Sequence, residues 1–298
     1  SDRRRRQIGK SRIRWHGTEV NLDIAVAGSS AGQTMRIDFE RTKRISKPFD
    51  SLGLLPPQVA VLGPLDELGQ RHGIVLLGAP PGHGLTTTGY SMIGRHDAFT
   101  CNIKSLEREV ELEIDGVDHV RFDPANTTTD YATNLQSILR RDPDIVLVSD
   151  IREPNTAKIA SAPGMSGPLI YICMVSDSVP AMFADWVRAV GDVKASSKAL
   201  RAIVNQRLVR SVCPNCRQAF QPSPEQAKKL GLQPGKGQLF RASGKVQVKN
   251  RIEDCPVCSG IGYLGQTGVF EVMPIDDEAR RMLSGGDFKG AYAHARRN

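Results

Sequence analysis

Near the start of the chain, apolar and polar residues alternate. Ile13 and Trp15, then Val20, Leu22, Ile24 and Val26, and after the turn-like run Gly28-Ser29-Ser30-Ala31-Gly32, Met35 and Ile37 recur at every second position. A period of two predicts short antiparallel strands. The piece is too small for a full domain, so residues 1–45 are expected to be the tail of a β-rich N-terminal domain. Residues 39–50 are polar and basic with Pro48, which suits a linker. Val59, Val61, Leu62, Leu65 and Leu68 form an imperfect helical stripe, so 46–70 reads as linker and helix.

From Ile74 the pattern changes to continuous apolar runs separated by amphipathic stretches. Ile74 to Leu77, 99–103, 145–148 and 169–174 read as buried strands, and 110–114 with 117–122 as a hairpin around Asp115-Gly116. Tyr131, Leu135, Ile138 and Leu139 recur at helical spacing, and helices are expected near 155–161 and 181–190. Wholly apolar strands alternating with helices predict an α/β core over 71–210, a mostly parallel sheet covered on both faces. A cysteine-bounded segment with a Gly/Lys-rich middle follows at 211–265, then a helical piece at 266–298. No internal repeat is visible.

Composition narrows the class. A length of 298 residues suits about two domains, and 40% hydrophobic with 24% charged residues is ordinary for a globular protein. No apolar run reaches the roughly 18 residues of a membrane span and no signal-peptide pattern opens the chain, so the expected location is cytoplasmic. The net charge is +8 and the pI 9.3, with Arg3-Arg4-Arg5-Arg6 concentrating part of it. Such a balance is compatible with nucleic acid, anionic headgroups or an acidic partner, while a solvated basic terminus is the simpler account.

Three patterns carry chemistry. In Leu76-Leu77-Gly78-Ala79-Pro80-Pro81-Gly82-His83-Gly84-Leu85-Thr86-Thr87-Thr88, an apolar strand breaks into a Gly/Pro loop and a hydroxyl-rich helix start. That is the outline of the phosphate loop G-x-x-x-x-G-K-[ST], whose glycines let backbone N–H groups wrap a phosphate while the lysine meets the β- and γ-phosphates. In register, the lysine position holds Leu85 and the first-glycine position Ala79. The candidate phosphate contacts are Gly82, His83, Gly84, Leu85, Thr86 and Thr87. About 65 residues on, the strand Ile145-Val146-Leu147-Val148 leads to Asp150, placed like the metal- and water-orienting acid of a nucleoside triphosphatase. Asp150 and Arg152 also suit a purely structural role in caps or ion pairs. Finally, Cys213-x-x-Cys216 and Cys255-x-x-Cys258 make two knuckles able to complete a four-thiolate set. In a cytosolic chain this spacing points to structural zinc, and a closed set would pin the segment without catalysing. Cys101 and Cys173 fall in apolar runs and read as core residues.

The runs LQSILRRDPDIVLVSDIRE, NQRLVRSVCPNCR and GYLGQTGVFEVM closely resemble the assembly ATPases of type II secretion and type IV pili, within the secretion-superfamily traffic ATPases. The resemblance covers nearly the whole chain and is densest between Leu135 and Arg217. It implies a P-loop (RecA-like) NTPase core with a small β-rich N-terminal remnant and a zinc-binding tetracysteine insertion. It also implies a cytoplasmic, ring-forming hexamer that drives pilin or pseudopilin assembly at the inner membrane with ATP and Mg²⁺.

Carried over position by position, the resemblance is good for scaffold and poor for chemistry. The loop lysine is Leu85, with the hydroxyls kept as Thr86 and Thr87. The acidic box T-I-E-D-P-V-E falls on Ser105-Leu106-Glu107-Arg108-Glu109-Val110-Glu111, keeping Glu107 and Glu111 but replacing the central Asp with Arg108. The strand-end glutamate is Asp150, the box histidine is Val175, and the N-terminal arginines fall on Asp23 and Asp38. Each such group is worth about 10²- to 10³-fold in rate, and roughly four or five are gone together. Asp150 and Glu107 are thus the degenerate catalytic candidates. The expected protein is a pseudo-ATPase serving as a structural or regulatory subunit of a secretion or pilus machine, within a homo- or hetero-hexamer. A weakly active ATPase with Mg²⁺ on Thr86 is the alternative. A basic, zinc-containing module for nucleic acid or anionic membrane is the third reading, with nucleic acid ranked below the machine partners.

Overall fold

The computed structural model describes residues 7–15, 18–29, 32–39, 45–125, 128–232 and 238–297. The arginine run at 3–6, Ser30 and Ala31 of the expected turn, 40–44 of the expected linker and 233–237 of the Gly/Lys-rich stretch lie outside the described residues. The chain divides into two compact units. One comprises Ser1–Arg207 with Phe270–Asn298, the other Leu208–Val269.

The first unit begins with the expected antiparallel meander, β1 (Gln7–Trp15), β2 (Thr18–Ser29) and β3 (Gly32–Phe39). Then come 3₁₀ turns at Phe49–Ser51 and Gly63–Asp66 around α1 (Pro56–Leu62). Pro56 and Pro57 start α1 because the first helical positions need no donor. The alternation then runs β4 (Gly73–Ala79), α2 (Leu85–Ile93), β5 (Ile103–Glu107), β6 (Val117–Arg121), α3 (Tyr131–Leu139) and β7 (Ile145–Val148). It continues with α4 (Thr156–Ser161), β8 (Leu169–Val175), α5 (Val179–Val190), α6 (Val193–Lys198) and β9 (Leu200–Val212).

The second unit carries β10 (Gln218–Phe220), α7 (Pro224–Lys229), β11 (Leu239–Arg241), β12 (Lys245–Val248) and β13 (Arg251–Asp254), with hairpin pairings β10·β11 and β12·β13. The chain re-enters the first unit within β14 (Tyr263–Pro274) and ends in α8 (Asp277–Ser284) and α9 (Phe288–Ala295).

The main sheet has the order β14-β9-β4-β8-β7-β5-β6, with parallel pairing at β9·β4, β4·β8, β8·β7, β7·β5 and β5·β6. Alternate residues of each central strand feed opposite faces, because a strand repeats every two residues. Ile74, Leu76, Val146, Val148, Ile170 and Ile172 pack on one face with Leu135, Met182, Trp186 and Leu283. Val75, Leu77, Ile145, Leu147, Tyr171 and Cys173 pack on the other with Ile45, Phe49, Leu62, Tyr90 and Ile93. Burial on both faces is why these strands read as unbroken apolar runs.

Three expected elements differ. The helical piece expected at 266–298 begins only at Asp277, because Tyr263–Pro274 is β14, a strand of the main sheet beside β9. The strand expected at 99–103 is Ile103–Glu107 instead, and Phe99 is fully exposed. Asp97 diverts the backbone: its carboxylate accepts the Phe99 N–H at 3.0 Å and its carbonyl the Thr100 N–H at 3.1 Å. There is also no hairpin around Gly116, since β6 runs parallel to β5 and 110–114 is irregular. Its backbone donors are taken by side chains: Glu111 N–H reaches the Tyr90 hydroxyl at 2.9 Å, and Ile114 N–H reaches His119 Nε2 at 3.0 Å.

Candidate functional site

The candidate phosphate contacts lie where β4 ends and α2 begins, at the carboxyl edge of the parallel sheet, the usual ligand edge of such folds. Gly82 and Gly84 both take left-handed φ, 77° and 82°, a conformation that costs residues with a Cβ about 1–2 kcal/mol. Gly84 caps α2, and its carbonyl accepts the Thr88 N–H at 3.0 Å. His83 donates its N–H to the Pro80 carbonyl at 3.2 Å, while Gln206 Nε2 donates to the His83 carbonyl at 2.7 Å and ties the loop to β9. The Leu85 side chain lies against the apolar cluster behind the loop. Thr86 Oγ1 donates to Glu111 Oε1 at 3.4 Å, and Thr87 is partly buried in the same turn of α2.

Glu107 ends β5 and is 2% exposed, with both carboxylate oxygens engaged. Oε2 accepts the Tyr90 hydroxyl at 2.5 Å; Oε1 accepts Ser105 Oγ at 2.6 Å and lies 2.9 Å from His119 Nδ1. Because His119 Nε2 accepts from Ile114, the imidazole proton sits on Nδ1 and points at Glu107. Burial, and then the hydrogen bond to Glu107, push the Tyr90 hydroxyl pKa well up, so it remains a donor.

Asp150 follows β7 and is held by two arginines. Its Oδ2 accepts Arg108 Nε at 2.7 Å and Arg152 Nη2 at 2.6 Å, and its Oδ1 accepts the Arg152 backbone N–H at 2.8 Å. Burial raises the Asp150 pKa, but the Arg152 side-chain and backbone hydrogen bonds together with Arg108 outweigh it and hold the carboxyl below its ordinary range. Arg108 Nη2 also reaches Glu153 Oε1 at 2.8 Å, and that bond, ahead of Asp150, raises its own pKa.

Leu85, Thr86, Glu107, Arg108, Glu111 and Asp150 share the lining of one cavity of about 220 Å³. The fold thus brings Leu85 and Thr86, at the start of α2, together with both acidic candidates, whereas Gly82, His83, Gly84 and Thr87 do not line this cavity. Val175, at the histidine position, ends β8 and is 67% exposed. Asp23 and Asp38 face each other across the β2·β3 register in the meander, and Arg36 Nε pairs with Asp38 at 2.8 Å. Tyr90, Ser105, His119 and Glu153 escaped sequence reasoning. Only Ser105 and Glu153 lay within quoted motifs, and nothing in their spacing signalled that the chain would pair them with Glu107 and Arg108.

Within the second unit, Cys213, Cys216, Cys255 and Cys258 are buried, and their four Sγ atoms lie within 4.8 Å of one another. The Cys213–Cys255 and Cys216–Cys258 separations are 3.9 and 3.7 Å. Disulfide sulfurs stand about 2.05 Å apart, whereas thiolates at the corners of a tetrahedron about 2.3 Å from a metal stand roughly 3.8 Å apart. Asn215 Nδ2 donates to Cys255 Sγ at 3.2 Å, and this bond, against burial and with the Val257 and Cys258 N–H groups, lowers the Cys255 pKa to about 6. Cys101 and Cys173 are core residues as expected, and burial pushes the Cys173 thiol up to about 12.

The family described as "Type II/IV secretion system protein" matches residues 1–298. Type II secretion system protein E of Klebsiella pneumoniae is 31% identical over 288 residues, 96% of this chain and 55% of that protein. Type II secretion system protein HxcR of Pseudomonas aeruginosa is 32% identical over 290 residues, with the same two coverages of 96% and 55%. The type IV pilus assembly ATPase PilB of Thermus thermophilus is 29% identical over 291 residues, 96% of this chain and 31% of that protein. The chain spans about half the length of the type II relatives it matches. Among solved structures, the Legionella pneumophila ATPase DotB aligns with a TM-score of 0.60 at 14% identity over 98% of this chain and 69% of that one. The pilus retraction motor PilT with bound ADP aligns at 0.59 and 15% identity, over 99% and 71%. At such identities the likeness is one of fold.

Proposed function

Since the chain belongs to the type II/IV secretion system protein family, we propose that it is a catalytically degenerate member acting by binding, as a structural or regulatory subunit of a secretion or pilus machine. Its place is the cytoplasmic side of the inner membrane, within a homo- or hetero-hexameric ring. Among the described residues no helix is long and apolar enough to cross a membrane.

The observation that carries this reading is the state of the cavity beside the loop. Phosphoryl transfer is catalysed mainly by placing cations around the developing charge. Here the loop position that would supply one holds Leu85, turned to the apolar core. The cavity lining has four acidic residues, Glu107, Glu109, Glu111 and Asp150, against Arg108 and Arg152, and both guanidiniums are engaged by Asp150. Thr86 Oγ1, the hydroxyl that would bind Mg²⁺, is directed at Glu111. A magnesium-bound triphosphate does not suit these donors, and no hydrolytic step is assigned. The Gly82–Gly84 turn is retained for its fold: it delivers β4 into α2.

The four cysteines, by contrast, suit zinc. Soft donors at tetrahedral spacing match it, and four thiolates leave no coordination position open for catalysis. Zinc would be held by Cys213, Cys216, Cys255 and Cys258 and would fix the fold of the second unit.

Calorimetric titration of the purified chain with Mg²⁺ and a non-hydrolysable ATP analogue, beside a phosphate-release assay, tests the main reading. No binding heat and no release above buffer are expected. Micromolar binding would overturn this reading, and turnover that an Asp150→Asn change removes would establish the weak-ATPase alternative.

A further inference from the structure

Arg108 is unusual for the number of fixed groups that converge on it. It directly follows β5, and its guanidinium spans two carboxylates presented after β7: Nε lies 2.7 Å from Asp150 Oδ2 and Nη2 lies 2.8 Å from Glu153 Oε1. Its Cζ stands 5.2 Å from the Phe122 ring centroid and 5.4 Å from that of Tyr131. Tyr131 is itself fixed, fully buried with its hydroxyl donating to the Leu106 carbonyl at 2.6 Å. The aromatic faces and the two acids leave the guanidinium little freedom.

Two carboxylates brought together beside a half-buried cavity need a cation, because each disfavours ionisation of the other. From these contacts we propose that Arg108 is that cation: a resident counter-ion seated between Asp150 and Glu153, which neutralises the site from within and closes it to divalent metal. The inference rests on the pseudo-ATPase reading for its biological meaning and adds the residue that bridges Asp150 to Glu153 and, with Arg152, keeps the site metal-free. A guanidinium stays charged at any physiological pH and cannot leave. A divalent ion such as Mg²⁺ needs carboxylate oxygens at about 2.1 Å with free lone pairs. Asp150 Oδ2 already receives Arg108 Nε, Arg152 Nη2 and Arg152 Nε, the last at 2.8 Å. The site has exchanged a removable ion for a permanent one, so its order no longer depends on a ligand.

The test is thermal unfolding of the full chain with and without added Mn²⁺, no nucleotide being present. For the wild type, Mn²⁺ is expected to leave the midpoint unchanged. Arg108→Asp, which replaces the cation with a third carboxylate, is expected to melt lower and to regain most of that loss with Mn²⁺. Adding Asp150→Asn to it should abolish the response. A wild type that gains as much from Mn²⁺ as Arg108→Asp does, or an Arg108→Asp protein that ignores the metal, would overturn the proposal. Should Arg108→Asp not fold under either condition, Mn²⁺ binding to Arg108→Ala is read by electron paramagnetic resonance. Binding about tenfold tighter than in the wild type supports the proposal, and no gain overturns it. Nucleotide binding by the wild type would sink the pseudo-ATPase reading while leaving this metal experiment to be judged by itself.

Discussion

At the scale of single residues, His96 is expected to contribute to the acid limb of stability. Its side chain is fully buried, with Nδ1 2.8 Å from Asp66 Oδ1 but misaligned for a hydrogen bond, and Nε2 2.9 Å from the Tyr171 hydroxyl. Burial lowers its pKa to about 4, while Asp66 pulls it up and Arg95 and Arg71 push it further down. Between that value and the ordinary 6.5 the unfolded chain binds a proton that the folded chain does not, so stability falls as pH falls through this window. Asp150 acts in the same direction further into acid: its contribution is present above the ordinary carboxylate pKa and is lost as pH drops through its depressed folded value. Urea midpoints measured from pH 7 to 4.5 should decline steadily. A His96→Gln variant, less stable at pH 7, should decline less, and a parallel decline would remove His96 as the cause. The sequence showed His96 as one histidine among six; only the packing of Tyr171 and Asp66 around it reveals its neutrality.

At the scale of elements, the buried strands β4 and β7, and β8 as far as Met174, were the most legible part of the chain, because a strand covered on both faces is apolar throughout. The region between α2 and α3 was the least legible. Its backbone groups are satisfied by the side chains of Asp97 two residues away, His119 five residues away and Tyr90 twenty-one residues away, and such irregular bonds leave no periodic trace. The entry to β4 depends on Gly73, which has φ 85° and where an added Cβ would meet the Ala199 carbonyl oxygen at 2.6 Å. That oxygen already accepts the Ile74 N–H at 2.7 Å, so the backbone cannot withdraw without breaking the bond. Gly73→Ala should therefore cost about 2 kcal/mol or more, from left-handed strain together with overpacking. Chemical denaturation reads it, and a loss below about 0.5 kcal/mol would mean that the strand start yields more readily than its contacts imply.

At the scale of the whole molecule, the two compact units rest on different physics. The first has two large apolar clusters on either side of its sheet, whereas the described core of the second is the four cysteines with Val246 packed against them. A small unit with so little apolar burial needs a staple, and metal binding then becomes folding energy. Near one zinc per chain is expected from metal analysis. Treatment with a strong chelator under reducing conditions should abolish amide protection in Leu208–Val269 while leaving β4, β7 and β8 protected; equal loss in both units would contradict this division. By itself, the sequence determined the parallel α/β core, the loop outline, the cysteine quartet and the family resemblance, since periodicity and spacing are local properties of a chain. Only the tertiary structure decided what Leu85 and Thr86 lie beside. Arg108, Asp150 and Glu153 come from two different strand ends, and whether Arg108 is a mere loss or a working counter-ion depends on the distances at which the sheet sets them. The Gly82–Gly84 loop keeps its shape for the same reason: Leu85 packs against the apolar cluster to which β4, β8 and α2 contribute.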